Sequence, residues 1–105
     1  MQNYPVRASE RANLNPQALE RILRTHFDSA TIEGEAVSAT YGAIERLTAR
    51  AQGRELGVEL RMNPKVPDDV ARETIARYNR FLEEATGYSA KERAKRLRKS
   101  ATAGD

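Results

Sequence analysis

Cysteine and tryptophan are absent, histidine occurs once, and the aromatic set is four tyrosines and two phenylalanines. Without cysteine there are no disulfides, no thiolate nucleophile and no cysteine metal site, and the expected compartment is a reducing cytoplasm. His26 alone cannot assemble a zinc site, which needs several His or Cys ligands. On the apolar side of a helix end, a histidine is first a core-edge residue or a favourable helix-terminal cation. No apolar run reaches the roughly 18 residues of a membrane span, and "MQNYPVRASERANLNP" holds no apolar signal segment. No membrane partner is therefore expected. G-x-S-x-G, G-x-G-x-x-G and Walker A patterns are missing. Glu33 and Glu35 flank Gly34 in a turn, where both carboxylates would simply ionise. Asp68 and Asp69 are explained as first-turn residues of a helix. The expectation is a protein that is not an enzyme and needs no cofactor or metal. Tyr4, Tyr41, Tyr78 and Tyr88 fall at core or cap positions, too scattered for a base-stacking platform.

What is present is charge, unevenly spread. The 105-residue chain is one domain in length and carries a net charge of +3. Residues 1–88 hold 12 Lys/Arg against 13 Asp/Glu; residues 89–105 hold six against two. The tail "TGYSAKERAKRLRKSATAGD" thus supplies the whole positive excess. The expected organisation is one domain over 1–88, then a basic helix and frayed tail over 89–105.

Local patterns predict the elements between. In "MQNYPVRA" Tyr4 and Val6 alternate as in a short strand, and Pro5 makes it an edge strand or an irregular one. "SERAN" is polar and connecting. In "LNPQALERILRTHFD", Asn15 caps, Pro16 suits the first helical position, and Leu14 can staple onto Leu19. Leu19, Ile22, Leu23, His26 and Phe27 then make one face. "SATIEGEAVSATY" reads as two strands turning at Glu33-Gly34, and "YGAIERLTARAQGRELGVELRM" as two more joined near Gln52-Gly53. In the last, Leu56, Val58, Leu60 and Met62 share a dry face, and Glu55, Glu59 and Arg61 a wet one. "PDDVARETIARYNRFLEEATG" is a second long helix, opened by Pro67. Its expected buried face is Ala71, Ile75, Tyr78, Leu82 and Ala85, widened by Val70 and Phe81. Gly87 ends it in a Schellman-type closure with Tyr88 folded back. Ser89 and Glu92 form a capping box that starts a third, basic helix. The order β-α-β-β-β-β-α, plus that short helix, predicts an α+β two-layer sandwich: an antiparallel sheet of four to five strands with two long helices on one face.

The run "ARYNRFLEEATGYSAKERAKRLRK", following a meander that ends in "ELGVELRMNP", resembles an uncharacterised family of small archaeal proteins. The resemblance covers most of the chain and is most specific in its C-terminal third. It implies a two-layer sandwich similar to one repeat of the TATA-binding protein, and it brings no biochemical activity. The TATA-binding protein reads the minor groove with its concave sheet face and apolar wedges. The wet face expected here carries Ser38, Thr40, Arg46, Thr48, Arg50, Glu55, Glu59 and Arg61, with no phenylalanine and with acids that repel phosphate.

The candidate site is the basic helix. Lys91, Arg93, Lys95, Arg96, Arg98 and Lys99 surround a narrow apolar stripe of Ala90, Ala94 and Leu97. Several cations on one helix suit phosphate contacts to DNA or RNA without base readout. Arg46, Arg50 and Arg61 would extend the footprint if the tail packed near that face. An acidic protein surface is the competing partner, and solubility alone is the bland explanation. A function of another class is a protein-interaction or adaptor subunit, using a free sheet edge or a homodimer in which paired sheets rebuild a two-repeat saddle.

Overall fold

Alternating residues over Glu55–Met62 make a strand that pairs on both sides along its first half. The computed structural model describes residues 2–27 and 29–103, with side chains in the last helix described through Arg96. Five strands, β1 (Gln2–Pro5), β2 (Thr31–Glu33), β3 (Ala36–Tyr41), β4 (Ile44–Gln52) and β5 (Glu55–Met62), form one antiparallel sheet in the order β1-β5-β4-β3-β2. Helices α1 (Pro16–Phe27), α2 (Asp68–Thr86) and α3 (Ala90–Ala103) complete the α+β fold. The connection "ASERAN" is a 3-10 helix rather than irregular chain.

Register assigns the faces. Val37 lies opposite Ala49, Ala49 opposite Val58, and Leu47 opposite Leu60. These side chains point to the helices, and Val37, Leu47, Ala49, Leu56 and Val58 are buried there. Ser38, Thr48 and Glu59 line up on the other, polar face. One irregularity interrupts β4. Ile44 pairs with Tyr41 and Met62, while Arg46 pairs with Arg61, so Glu45 is an extra residue against both neighbours. This β-bulge puts two successive residues outward and lets both Ile44 and Leu47 face the core.

The helices behave as their caps dictate. Asn15 Oδ1 accepts the Ala18 N–H at 2.9 Å, and Leu19, Ile22, Leu23 and Phe27 are buried. Pro67 occupies the N-cap of α2, and helical geometry begins at Asp68. The face of α2 differs from expectation at one turn. Ile75 is 50% exposed, and Thr74 is buried in its place. The reason is a hydrogen-bond requirement. Thr74 Oγ1 donates to the Val70 carbonyl at 2.7 Å and accepts the Ala43 N–H at 3.0 Å, tying α2 to the β3–β4 hairpin. Beside it, Gly42 has φ +50°, and a Cβ there would collide with Thr74 Oγ1. Rotating α2 to satisfy that tie carries Ile75 to the rim. Leu60, expected on the dry face, is also 37% exposed. It lies beyond the stretch of β5 that pairs with β1.

Candidate nucleic-acid interface

The junction between α2 and α3 is built by local rules. Gly87 adopts φ 78°, and its N–H donates to the Glu83 carbonyl at 2.8 Å. Thr86 is buried; its hydroxyl donates to the Leu82 carbonyl at 2.6 Å and accepts the Tyr88 N–H at 3.2 Å. Tyr88 folds back onto the body and is largely buried. Ser89 and Glu92 then cap α3 reciprocally: Ser89 N–H donates to Glu92 Oε1 at 3.2 Å, and Glu92 N–H to Ser89 Oγ at 3.3 Å. The Ser89 backbone N–H first, and then the Ser89 hydroxyl, hold the Glu92 carboxyl below the usual carboxylate range, with Arg7 and Arg96 acting in the same direction.

Arg93 is the residue whose placement most changes the picture. It is 3% exposed; its guanidinium donates to the Tyr88 carbonyl at 2.6 Å and to Asn79 Oδ1 at 3.2 Å. Burial lowers its pKa from the arginine value, while the phenols of Tyr4 and Tyr78 and the Glu83 carboxylate act the other way. Arg93 therefore leaves the set of outward cations and becomes the clamp that fixes α3. Of the expected apolar stripe, Ala90 and Ala94 are exposed, and the side chain of Leu97 lies outside the described residues. A capping box read along the sequence gives the start of α3. The inward arginine depends on acceptors from α2 and the turn, which no local spacing displays.

Lys91, Lys95 and Arg96 are exposed. Lys91 and Lys95 stand one turn apart on the side away from Arg93. The Arg96 guanidinium lies over the Tyr88 ring, 4.2 Å from its centroid, and Arg7 lies 4.7 Å from the same ring. Arg7 also donates to the Gly87 carbonyl at 3.1 Å and pairs with Glu92 at 3.4 Å. The base of α3 is thus fixed by two cation–π contacts, a reciprocal cap and a buried arginine. The side chains of Arg98 and Lys99 lie outside the described residues, as do Gly104 and Asp105. Helical backbone continues through Ala103, further than the frayed end expected from Ser100.

The other expected positions take structural roles. His26 Nε2 and Glu84 Oε1 are 2.8 Å apart, joining α1 to α2. Arg46 pairs with Glu33 at 2.9 Å on the polar sheet face, and that face mixes arginines with acids. Tyr4 and Tyr78 share a hydroxyl–hydroxyl hydrogen bond of 3.3 Å. Burial, then that bond, raises the Tyr78 phenol well above the tyrosine range. Among the described residues no cluster of three or more His, Cys, Asp or Glu could hold a metal. No helix among them is long and apolar enough to cross a membrane.

An antiparallel sheet with three α-helices, the last of them basic, defines the class of protein. The family match spans residues 1–99, and the chain belongs to DUF5611, a domain of unknown function. It is similar to a hypothetical protein from Thermoplasma acidophilum whose solution structure was determined by NMR. The two are 30% identical, with a TM-score of 0.69, over 92% of this chain and 97% of the other. Of the expected resemblance to an uncharacterised family of small archaeal proteins over most of the chain, the uncharacterised family and an archaeal relative are found. No curated protein matches the chain.

Proposed function

We propose that this protein is a non-enzymatic binding module that holds nucleic acid by its phosphate backbone, with α3 as the contact element. The observation that carries this reading is the fixed helix: Arg93 is used to lock α3 to the body while Lys91, Lys95 and Arg96 face solvent. Cations on a fixed rod match regularly spaced phosphates with less loss of side-chain and backbone freedom than cations on a loose tail. Arg98 and Lys99 follow along the same helix in the sequence. The likeness to a TATA-binding repeat enters only as a fold analogy. Its wedge-bearing sheet face has no equivalent here, so the contact is assigned to α3 and not to the sheet.

The test is a salt series on short duplex DNA and structured RNA. Contacts by Lys91, Lys95, Arg96, Arg98 and Lys99, with Arg93 excluded, give a log–log slope on duplex DNA of about −4.5. A Lys91→Glu/Lys95→Glu variant keeps the fold and loses most of the binding. No binding by the full chain in low salt would overturn the reading. So would binding that the double variant leaves unchanged. Capture of an acidic protein in place of nucleic acid would move α3 to the competing partner.

A further inference from the structure

β5 outruns its neighbour. β1 pairs with Glu55–Val58 only, so Glu59–Met62 has β4 on one side and, among the described residues, no strand on the other. Asn63 donates its N–H to the Ala43 carbonyl, toward the β4 side, at 2.8 Å. Alternation along the strand then turns the N–H and C=O groups of Met62 and Leu60 to the unpaired side. An open strand edge of this kind is a template for another chain.

The side chains around this half-edge specify what would pair with it. Leu60 and Met62 point to the helix-bearing face. Leu60 is 37% exposed beside an open cleft of about 370 Å³ lined by Gln2, Tyr4, Val58, Glu59 and Tyr78. Ile75, one turn before Tyr78 on α2, is also exposed. On the polar face Arg61 lies opposite Arg46, a like charge that already has Glu33. Among the described residues Arg61 has no ion-pair partner, and Glu59, two residues along, makes none with it.

We propose that this half-edge is a strand-docking site for an extended peptide that pairs antiparallel with Leu60–Met62 and carries an acidic residue between two apolar ones. Residues directly opposite share a face, so the two apolar side chains meet Leu60 and Met62, one of them reaching the cleft. The acid between them falls opposite Arg61 and supplies the charge that Arg46 cannot. The other edge fits less well. β2 offers three residues, Glu33 is already paired, and the nearby cleft is lined by Ser29, Thr31, Ser38 and Thr40. A second copy pairing by a two-fold about this half-edge would set Arg61 against Arg61, so a partner of different sequence is the better complement. This inference stands apart from the phosphate reading, which uses α3.

The experiment titrates the isotope-labelled full chain with a blocked pentapeptide, threonine-valine-glutamate-valine-threonine, and with a twin carrying lysine in place of glutamate. Saturable amide shifts centred on Leu60 and Met62 are expected, with the glutamate peptide binding roughly fivefold more tightly. The Arg61→Glu variant reverses that preference. N-methylation of the second valine, opposite Leu60, abolishes binding because it removes a ladder hydrogen bond without touching the protein. Equal binding of the N-methylated peptide would overturn the proposal. It would equally be overturned by equal affinity for both charge forms, by shifts centred on β2, by no saturation at millimolar peptide, or by self-association of the chain through Leu60.

Discussion

Arg93 shows how one residue type can serve two ends of the same helix surface. A guanidinium taken out of water must have its donors met, and here Tyr88 and Asn79 meet two of them. Replacing it by methionine keeps the stem and removes the head, leaving the Tyr88 carbonyl and the Asn79 side chain without that donor. The Arg93→Met variant should lose about 1–3 kcal/mol in urea denaturation, and α3 should lose protection from amide exchange before the sheet does. Lys91→Met, at an exposed position, should leave stability within about 0.5 kcal/mol. Tyr78 makes a pH prediction. Its phenol is held protonated in the fold by burial and Tyr4, whereas the unfolded chain releases that proton near pH 10. The folded state then binds more protons than the unfolded one above that pH. Stability is fully present below it and falls above it, by up to about 1.4 kcal/mol per pH unit from this group. Tyr78→Phe should flatten that alkaline slope in denaturation curves taken across the range.

At the scale of elements, the β3–β4 hairpin and α2 are held by one threonine. Gly42→Ala places a Cβ at positive φ and against Thr74 Oγ1. A loss of at least about 1–3 kcal/mol follows from the backbone alone. Thr74→Val in the same background should recover little, since the Ala43 N–H then lacks its acceptor. Much of this level is legible in the sequence. Asn15-Pro16, Gly34, Gly53, Gly87 and the Ser89/Glu92 box are local instructions, and local instructions survive folding because their partners are a few residues away. The periodicity that places Leu19 and Val58 also gives Leu60 its correct face, but it overstates the burial of Leu60 and of Ile75. Periodicity tells which side of an element faces the helix layer or the sheet. It does not tell how far the opposing layer extends, and both residues sit where coverage runs out. Arg93 was legible as a cation but not as a buried one, because its acceptors come from α2 and the α2–α3 turn.

At the scale of the whole molecule, the sheet is covered on one side by helices and carries polar residues on the other, and both proposed contact regions lie at the β1 margin. α3 packs against β1, and the half-edge of β5 that no strand covers among the described residues begins beyond the Gln2–Val58 pair. The bulge in β4 bears on how this sheet tolerates change in length. Every other residue of β4 is locked to a face, so losing one would turn half the strand inside out. Glu45 is different, because it is the surplus member against β3 and β5 alike. A chain with Glu45 deleted should fold in the same register, with Ile44, Arg46 and Leu47 alternating as in an unbroken strand, and give an amide spectrum changed only near the hairpin. Deletion of Thr48, five residues past the Gly42–Ala43 turn, should abolish the fold. The β3–β4 hairpin thus has a single site at which the gene can shorten without rewriting the core.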